Sequence, residues 1–179
     1  EKELIRLAVR SLGLNDIVPF DPAKKIIEYQ FPAPAVLTEL KLRDFIDELS
    51  MDTPTPGGGS AAALCGSLSA ALSAMVANLT VGKKDYEAQT ELMKSTAVRC
   101  QKLKAELLLA VDEDSRAFNQ VMEAFRLPRG TAEQVKEREE AIEKANKEAT
   151  KVPLSVLEKS VELATLAFQV VTAGYKNSV

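Results

Sequence analysis

The sequence predicts an all-α fold, a bundle of long antiparallel helices around a central buried helix rich in Ala, Ser and Leu. Three observations carry this. Between Asp52 and Lys83 there is no charged side chain, and within that window Leu64, Leu68, Leu72, Met75 and Leu79 recur at three- and four-residue spacing, the helical period. Two later stretches, about 87–126 and 131–173, repeat their apolar residues with the same period. No stretch shows the strict alternation of a half-buried strand. Sparse glycine and proline, 8 of each in 179 residues, leave long helices uninterrupted.

Taken in order, Glu1 to Leu12 reads as a helix with Leu4, Ile5, Ala8 and Leu12 on one face and Gly13 as its stop. It is charged and amphipathic and does not read as a signal peptide. Residues 14–40 contain Pro19, Pro22, Pro32 and Pro34, which prevent a long regular element. Asp21 to Lys24 can start one helical turn, and Ile26 to Phe31 reads as a short strand. Lys41 to Met51 reads as a short helix with Leu42, Phe45, Ile46 and Leu49 facing inward. Thr53-Pro54-Thr55-Pro56 leads in extended form to Gly57, Gly58 and Gly59.

The central helix follows. Its opposite face carries Ala62, Gly66, Ser69 and Ser73, so it is apolar or small all round and is expected to be buried on every side. Its length suffices to cross a membrane, but its hydroxyls, Asn78 and its amphipathic neighbours favour the centre of a bundle or a subunit interface. Gly82-Lys83-Lys84 forms a turn. The next helix has a seam of Cys100, Leu103, Leu107, Val111, Asp114, Phe118, Val121 and Phe125, and Leu127-Pro128-Arg129-Gly130 ends it. Thr131 to Gln134 has the spacing of a capping box. The helix it opens carries a narrow stripe (Val135, Ile142, Ala145, Ala149), a kink expected at Pro153, an apolar second half and a stop at Gly174.

Composition excludes several chemistries. There is no histidine, which removes His-based triads and imidazole acid–base catalysis. Cys65 and Cys100 are far apart, without zinc spacing, and read as buried reduced thiols of a cytoplasmic protein. A net charge of −3 with no basic tract gives nucleic acid no electrostatic footprint.

Three places can carry chemistry. Gly57, Gly58, Gly59 and Ser60 offer free backbone N–H groups at a helix N-terminus, where the dipole favours an anion or an electron-rich ligand. The plainer reading is a flexible turn with Ser60 as N-cap. Asp114 stands three residues after Val111 and four before Phe118, where the seam asks for an apolar side chain. A carboxylate set into such a seam is partly desolvated and suited to general acid–base work; the alternative is a structural carboxylate satisfied by a neighbouring helix. Asp112, four before Arg116, has the spacing of a surface ion pair. Lys83 and Lys84 are either a solvated turn or, near a site, holders of substrate carboxylates.

Read together, PTPGGGSAAALCGSLSAALSAMVANLT, GKKDY, VDEDSRAF and KVPL resemble the formimidoyltetrahydrofolate cyclodeaminase family. The resemblance spans residues 41–179 and implies an all-helical domain that forms the C-terminal half of a bifunctional formimidoyltransferase–cyclodeaminase. Residues 1–37 look like the tail and linker of the preceding transferase domain. The implied reaction closes 5-formimidoyltetrahydrofolate to 5,10-methenyltetrahydrofolate with loss of ammonia, in histidine degradation. It uses a tetrahydrofolate derivative as substrate, with no metal and no redox cofactor. The resemblance puts the catalytic acid on Asp114, which the interrupted seam singles out separately. It puts the folate pocket at Gly57, Gly58, Gly59 and Ser60, and a polyglutamate tail at Lys83 and Lys84, with Asn177 as a further substrate-binding candidate. Where the family has a Gly-Asn segment, Gly174 is followed by Tyr175; the family continues past Val179, which makes the domain look incomplete at its C-terminus. A homodimer or higher homo-oligomer is expected from the small-faced helix. Two readings stand beside it: methenyltetrahydrofolate cyclohydrolase activity, which a related family of the same fold performs, and a non-catalytic helical assembly module.

Overall fold

The structure, a computed structural model, describes residues 2–14, 20–25 and 36–178. Among these residues there is no strand, and the fold is all-α, as expected. The chain divides into two compact units, residues 1–36 and 37–179. The first holds α1 (Lys2–Ser11) and the single turn α2 (Pro22–Lys25). The strand expected at Ile26 to Phe31 lies outside the described residues.

The second unit opens with a 3-10 turn, Leu37–Glu39, and the short helix α3, Leu42–Leu49. Only Phe45 of α3 is buried; Leu42 and Ile46, expected inside, are exposed. Three long helices follow: α4 (Gly58–Thr80), α5 (Thr90–Phe125) and α6 (Ala132–Ala173). Cross-helix bonds fix their directions. Ser67 Oγ donates to the Lys104 carbonyl (2.9 Å) while Ser60, earlier in α4, reaches Val111, later in α5, so the two run antiparallel. Thr96 reaches Gln169 and Arg99 reaches Glu162, so α5 and α6 are antiparallel too. The capping box of α6 is formed: Thr131 Oγ1 accepts the Gln134 N–H while the Gln134 side chain accepts the Thr131 N–H. The helix runs through Pro153 as one element and ends at Gly174.

The core is built on the small face of α4. Ala63, Ser67, Ala70 and Ala74 turn inward against Cys100, Leu103, Leu107 and Val111 of α5, and Ala77 packs with Met93 and Ala97 farther along. A Cβ on Gly66 would lie only 3.1 Å from Leu107 Cδ1, so the two helix surfaces are in close contact there. Each fully buried Leu or Val contributes about 1.5–3 kcal/mol, and a small-residue surface lets several α5 side chains reach full burial at once. The expectation that α4 is buried on every side holds for this face only. Leu68, Leu72, Met75 and Leu79 are exposed, with Leu72 at 60%, and so is Cys65, read from sequence as buried. On α5, Phe118 and Phe125 are exposed although the seam placed them inside.

Arg99 and Glu162 join α5 to α6 through a two-pronged contact, guanidinium Nε and Nη2 to the two carboxylate oxygens. The hydrogen bonds from Arg99 hold the Glu162 carboxyl below its usual range. A depressed folded-state value means stability that is complete above the unfolded value of roughly 4.3 and is lost as pH falls through the folded one. Both partners are more than a third exposed, so the effect belongs to the modest surface class. Equilibrium urea unfolding is therefore expected to show a steeper fall of the midpoint below about pH 4.5 in the wild type than in Glu162→Gln. Identical pH slopes would remove the pair from the account of acid stability.

Candidate active site

Gly57, not Ser60, is the N-cap of α4, and Gly58, Gly59 and Ser60 are its first three residues. The first helical bond runs from the Ala61 N–H to the Gly57 carbonyl (3.1 Å), which leaves the N–H groups of Gly58, Gly59 and Ser60 without an intrahelical acceptor. Because Gly57, Gly58 and Gly59 carry no side chains, α5 approaches this turn closely. A Cβ on Gly59 would fall 2.1 Å from Asp114 Oδ1, 2.5 Å from Cγ and 2.6 Å from Oδ2. The Asp114 carboxylate therefore occupies the space that any other residue at 59 would fill. The structure brings the glycine run and Asp114 into one site.

The carboxylate has two unlike oxygens. Oδ2 accepts from Ser60 Oγ at 3.1 Å, while Oδ1, against Gly59, has no hydrogen-bond partner among the described residues. Asp114 is half-buried; the fully inward position on this turn belongs to Ser115, whose hydroxyl lies 3.1 Å from that of Ser60. Ser60 is wholly buried and its side chain faces α5, so only its backbone can meet a ligand.

Asp112, two residues earlier, does not make the surface pair its spacing suggested. Its carboxylate accepts the Leu37 N–H (2.6 Å) and the Thr38 hydroxyl (2.7 Å), and Arg116 Nε donates to its backbone carbonyl instead (3.3 Å). Two carboxylates two positions apart thus divide the work: one is saturated by the incoming chain, the other keeps an open oxygen. Sequence alone gave no sign of Ser115, nor of Thr38 and Leu37, because their partners are 51 or more residues away.

Lys83, Lys84 and Asn177 lie elsewhere. They stand at the C-terminal end of α4, which at 1.5 Å per residue is about 33 Å from its glycine end. There Lys83 Nζ sits 4.9 Å from the Tyr175 ring centroid, Tyr86 meets the same ring edge-on at 5.7 Å, and Asn177 Nδ2 donates to the Tyr175 hydroxyl (2.8 Å). Tyr175 is anchored by its N–H to Thr80 Oγ1 (2.8 Å). The candidates fall into two clusters, and one copy of the domain does not bring them together. An open groove of about 320 Å³ between α5 and α6, lined by Gln120, Glu123, Lys144 and Glu148 among others, contains none of them. Among the described residues no group of three or more acidic or cysteine side chains is placed to hold a metal ion.

Comparison with known proteins agrees with this architecture. The family model for formiminotransferase-cyclodeaminase matches residues 41–179, and that for the formiminotransferase domain matches residues 1–32. The chain is 36% identical to mouse formimidoyltransferase-cyclodeaminase over 91% of its length, and 37% identical to the Dictyostelium discoideum protein over 87%. It spans about a third of those relatives, 31% and 29% of their lengths. It is also 38% identical to a methenyltetrahydrofolate cyclohydrolase of Methylorubrum extorquens, covering 77% of this chain and 66% of that one. Among solved structures, the crystal structure of formiminotetrahydrofolate cyclodeaminase from Thermotoga maritima superposes with a TM-score of 0.67 at 30% identity, over 78% of this chain and 66% of that one. With a glycine turn that opens α4 packed against a carboxylate of α5, and a family match over residues 41–179, the chain belongs to the formiminotransferase-cyclodeaminase family.

Proposed function

We propose that residues 41–179 form a folate cyclodeaminase, an ammonia-lyase that converts 5-formimidoyltetrahydrofolate to 5,10-methenyltetrahydrofolate in histidine degradation. The observation that carries this is the open Oδ1 of Asp114 over the glycines that open α4. A flat pterin can approach that turn closely, with its polar edge at the free N–H groups. The formimidoyl group enters as its amidinium. N10 attacks the amidinium carbon, and the N10 proton passes to Asp114. The resulting carboxylic acid gives the same proton to the amino group, the C–N bond breaks, ammonia leaves, and the methenyl cation remains. The carboxylate ends as it began, and one group serves both transfers.

Residues 1–37 are read as the tail and linker of a transferase domain, and the protein as cytoplasmic, with neither nucleic acid nor membrane as partner. The exposed residues Cys65, Leu68, Leu72, Met75 and Leu79 step along α4 by alternating three and four, the spacing of a coiled-coil seam, and this supports a homodimer. Lys83 and Lys84 take carboxylates of a polyglutamate tail. At about 33 Å from the glycine turn, they serve a bound folate along an extended tail or from an antiparallel second copy. Leu72→Glu is expected to yield a monomer in sedimentation velocity; a variant that sediments as the wild type places the interface elsewhere.

The similarity to a methenyltetrahydrofolate cyclohydrolase favours a second reading, in which the same carboxylate activates water against the methenyl carbon. Incubating the full-length protein with 5-formimidoyltetrahydrofolate and following ammonia together with methenyl absorbance separates the two. Ammonia release with rising methenyl absorbance supports the cyclodeaminase; no ammonia release, with loss of methenyl absorbance when 5,10-methenyltetrahydrofolate is supplied instead, supports the cyclohydrolase.

A further inference from the structure

Ser60 is wholly buried and has three neighbours of different hydrogen-bonding character. The Val111 carbonyl, 2.9 Å from Oγ, only accepts; the Ser115 hydroxyl, 3.1 Å away, donates or accepts; Asp114 Oδ2, also 3.1 Å away, accepts when ionised and can donate when protonated. The Ser60 hydroxyl has a single proton to place among them. With Asp114 ionised, that proton points to Oδ2. When Oδ1, the oxygen against the glycine turn, takes a proton, Oδ2 becomes the carbonyl oxygen of the acid and still accepts from Ser60. The proton is taken up with no heavy atom moving. The Val111 carbonyl loses nothing while the Ser60 proton points to Oδ2, because in a helix it also accepts the N–H four residues on.

We infer that Ser60 is a positioning residue whose hydrogen bond to Oδ2 persists while Asp114 takes up and gives back a proton at Oδ1. It keeps Oδ2 turned inward in both states, so that Oδ1 stays aimed at the glycine turn. This rests on Asp114 as the proton carrier. An acceptor-only side chain at 60 could not hold Oδ2 in either state. An alanine would leave Oδ2 and the Ser115 hydroxyl short of a partner and free the carboxylate to rotate. Ser60 was first a candidate for substrate contact; its side chain instead acts through Asp114.

The test compares Ser60→Ala, Ser60→Thr and Ser67→Ala in the full-length protein, with Asp114→Asn run alongside. Ser67 makes the same kind of bond, hydroxyl to an α5 carbonyl at 2.9 Å, two turns away from the site. Ser60→Ala is expected to lower kcat by about 10- to 100-fold, the range for losing a hydrogen bond to a charged group, with KM within about twofold. Ser60→Thr, which restores a hydroxyl, recovers most of that loss, and Ser67→Ala keeps wild-type kcat. The inference is overturned if Ser60→Ala keeps wild-type kcat, if Ser67→Ala loses as much, or if a folded Ser60→Thr recovers nothing. Should Ser60→Ala not fold, Ser60→Cys takes its place, since a thiol fills the space as a weak donor; wild-type kcat in that variant overturns the inference. If Asp114→Asn stays active, the proton-carrier assignment itself fails; if Asp114→Asn is dead and Ser60→Ala is normal, only the role of Ser60 fails.

Discussion

Replacing Asp114 by Asn is expected to lower kcat for ammonia release by about 10³-fold or more, at the upper end of what one general acid–base group supplies. The expectation is large because this single carboxyl carries both proton transfers, and Asp112, two residues before it, is already engaged by Leu37 and Thr38. Asparagine has nearly the same shape and can still bond Ser60, so the helices are expected to stay in place. Steady-state ammonia release and methenyl absorbance measure the loss, and far-ultraviolet circular dichroism verifies the fold. A kcat within tenfold of wild type would remove Asp114 from the mechanism.

Gly59→Ala is the second variant with a large expected effect. The added Cβ would stand 2.1 Å from Oδ1, far inside van der Waals contact. The carboxylate must swing away or the first turn of α4 must move. Either shift is of the order of an ångström, enough to cost about 10²-fold in rate. Position 58 provides the contrast, because nothing lies within 4 Å of a Cβ built there. Ala at 58 therefore adds helix propensity without a clash and is expected to stabilise by up to about 1 kcal/mol. Thermal unfolding of the two variants, with kcat for Gly59→Ala, reads both effects; equal kcat in Gly59→Ala and wild type would show that the carboxylate does not need its observed place.

Much of the fold was legible because helical period, capping and proline spacing are local properties. The capping box at Thr131, the stop at Gly174 and the limits of α4 and α5 follow from neighbours within four residues. Asp114 was legible for the same reason, as a carboxylate interrupting an apolar seam. Inward and outward were harder to tell. A strict 3.5-residue seam drifts by about 20° per heptad on a straight helix. By the last turns of α5 the buried line has moved to Ser115, Val121 and Ala124, and Phe118 and Phe125 have turned to solvent. On α4 the period picked out the line of large residues, but of the four small ones set opposite it only Ser73 is buried, and the period could not say that a small line goes in. That depends on how closely α5 approaches, as Gly66 against Leu107 shows. Ser60, Ser115 and the saturation of Asp112 were illegible because each is a contact between residues distant in sequence.

The two faces of α4 also differ in what they allow to change. Its inner positions are already near the smallest side chains available, so most replacements there add volume against Leu103, Leu107 or Val111, and overpacking typically costs 1–3 kcal/mol. Its outer positions Leu68, Leu72, Met75 and Leu79 are half or more open to solvent or nearly so, so replacing one apolar residue by another there disturbs the core little. Sequence drift along this helix is therefore one-sided. Among homologues the inner face should stay nearly fixed, while the outer face is free to diverge together with whatever surface it meets.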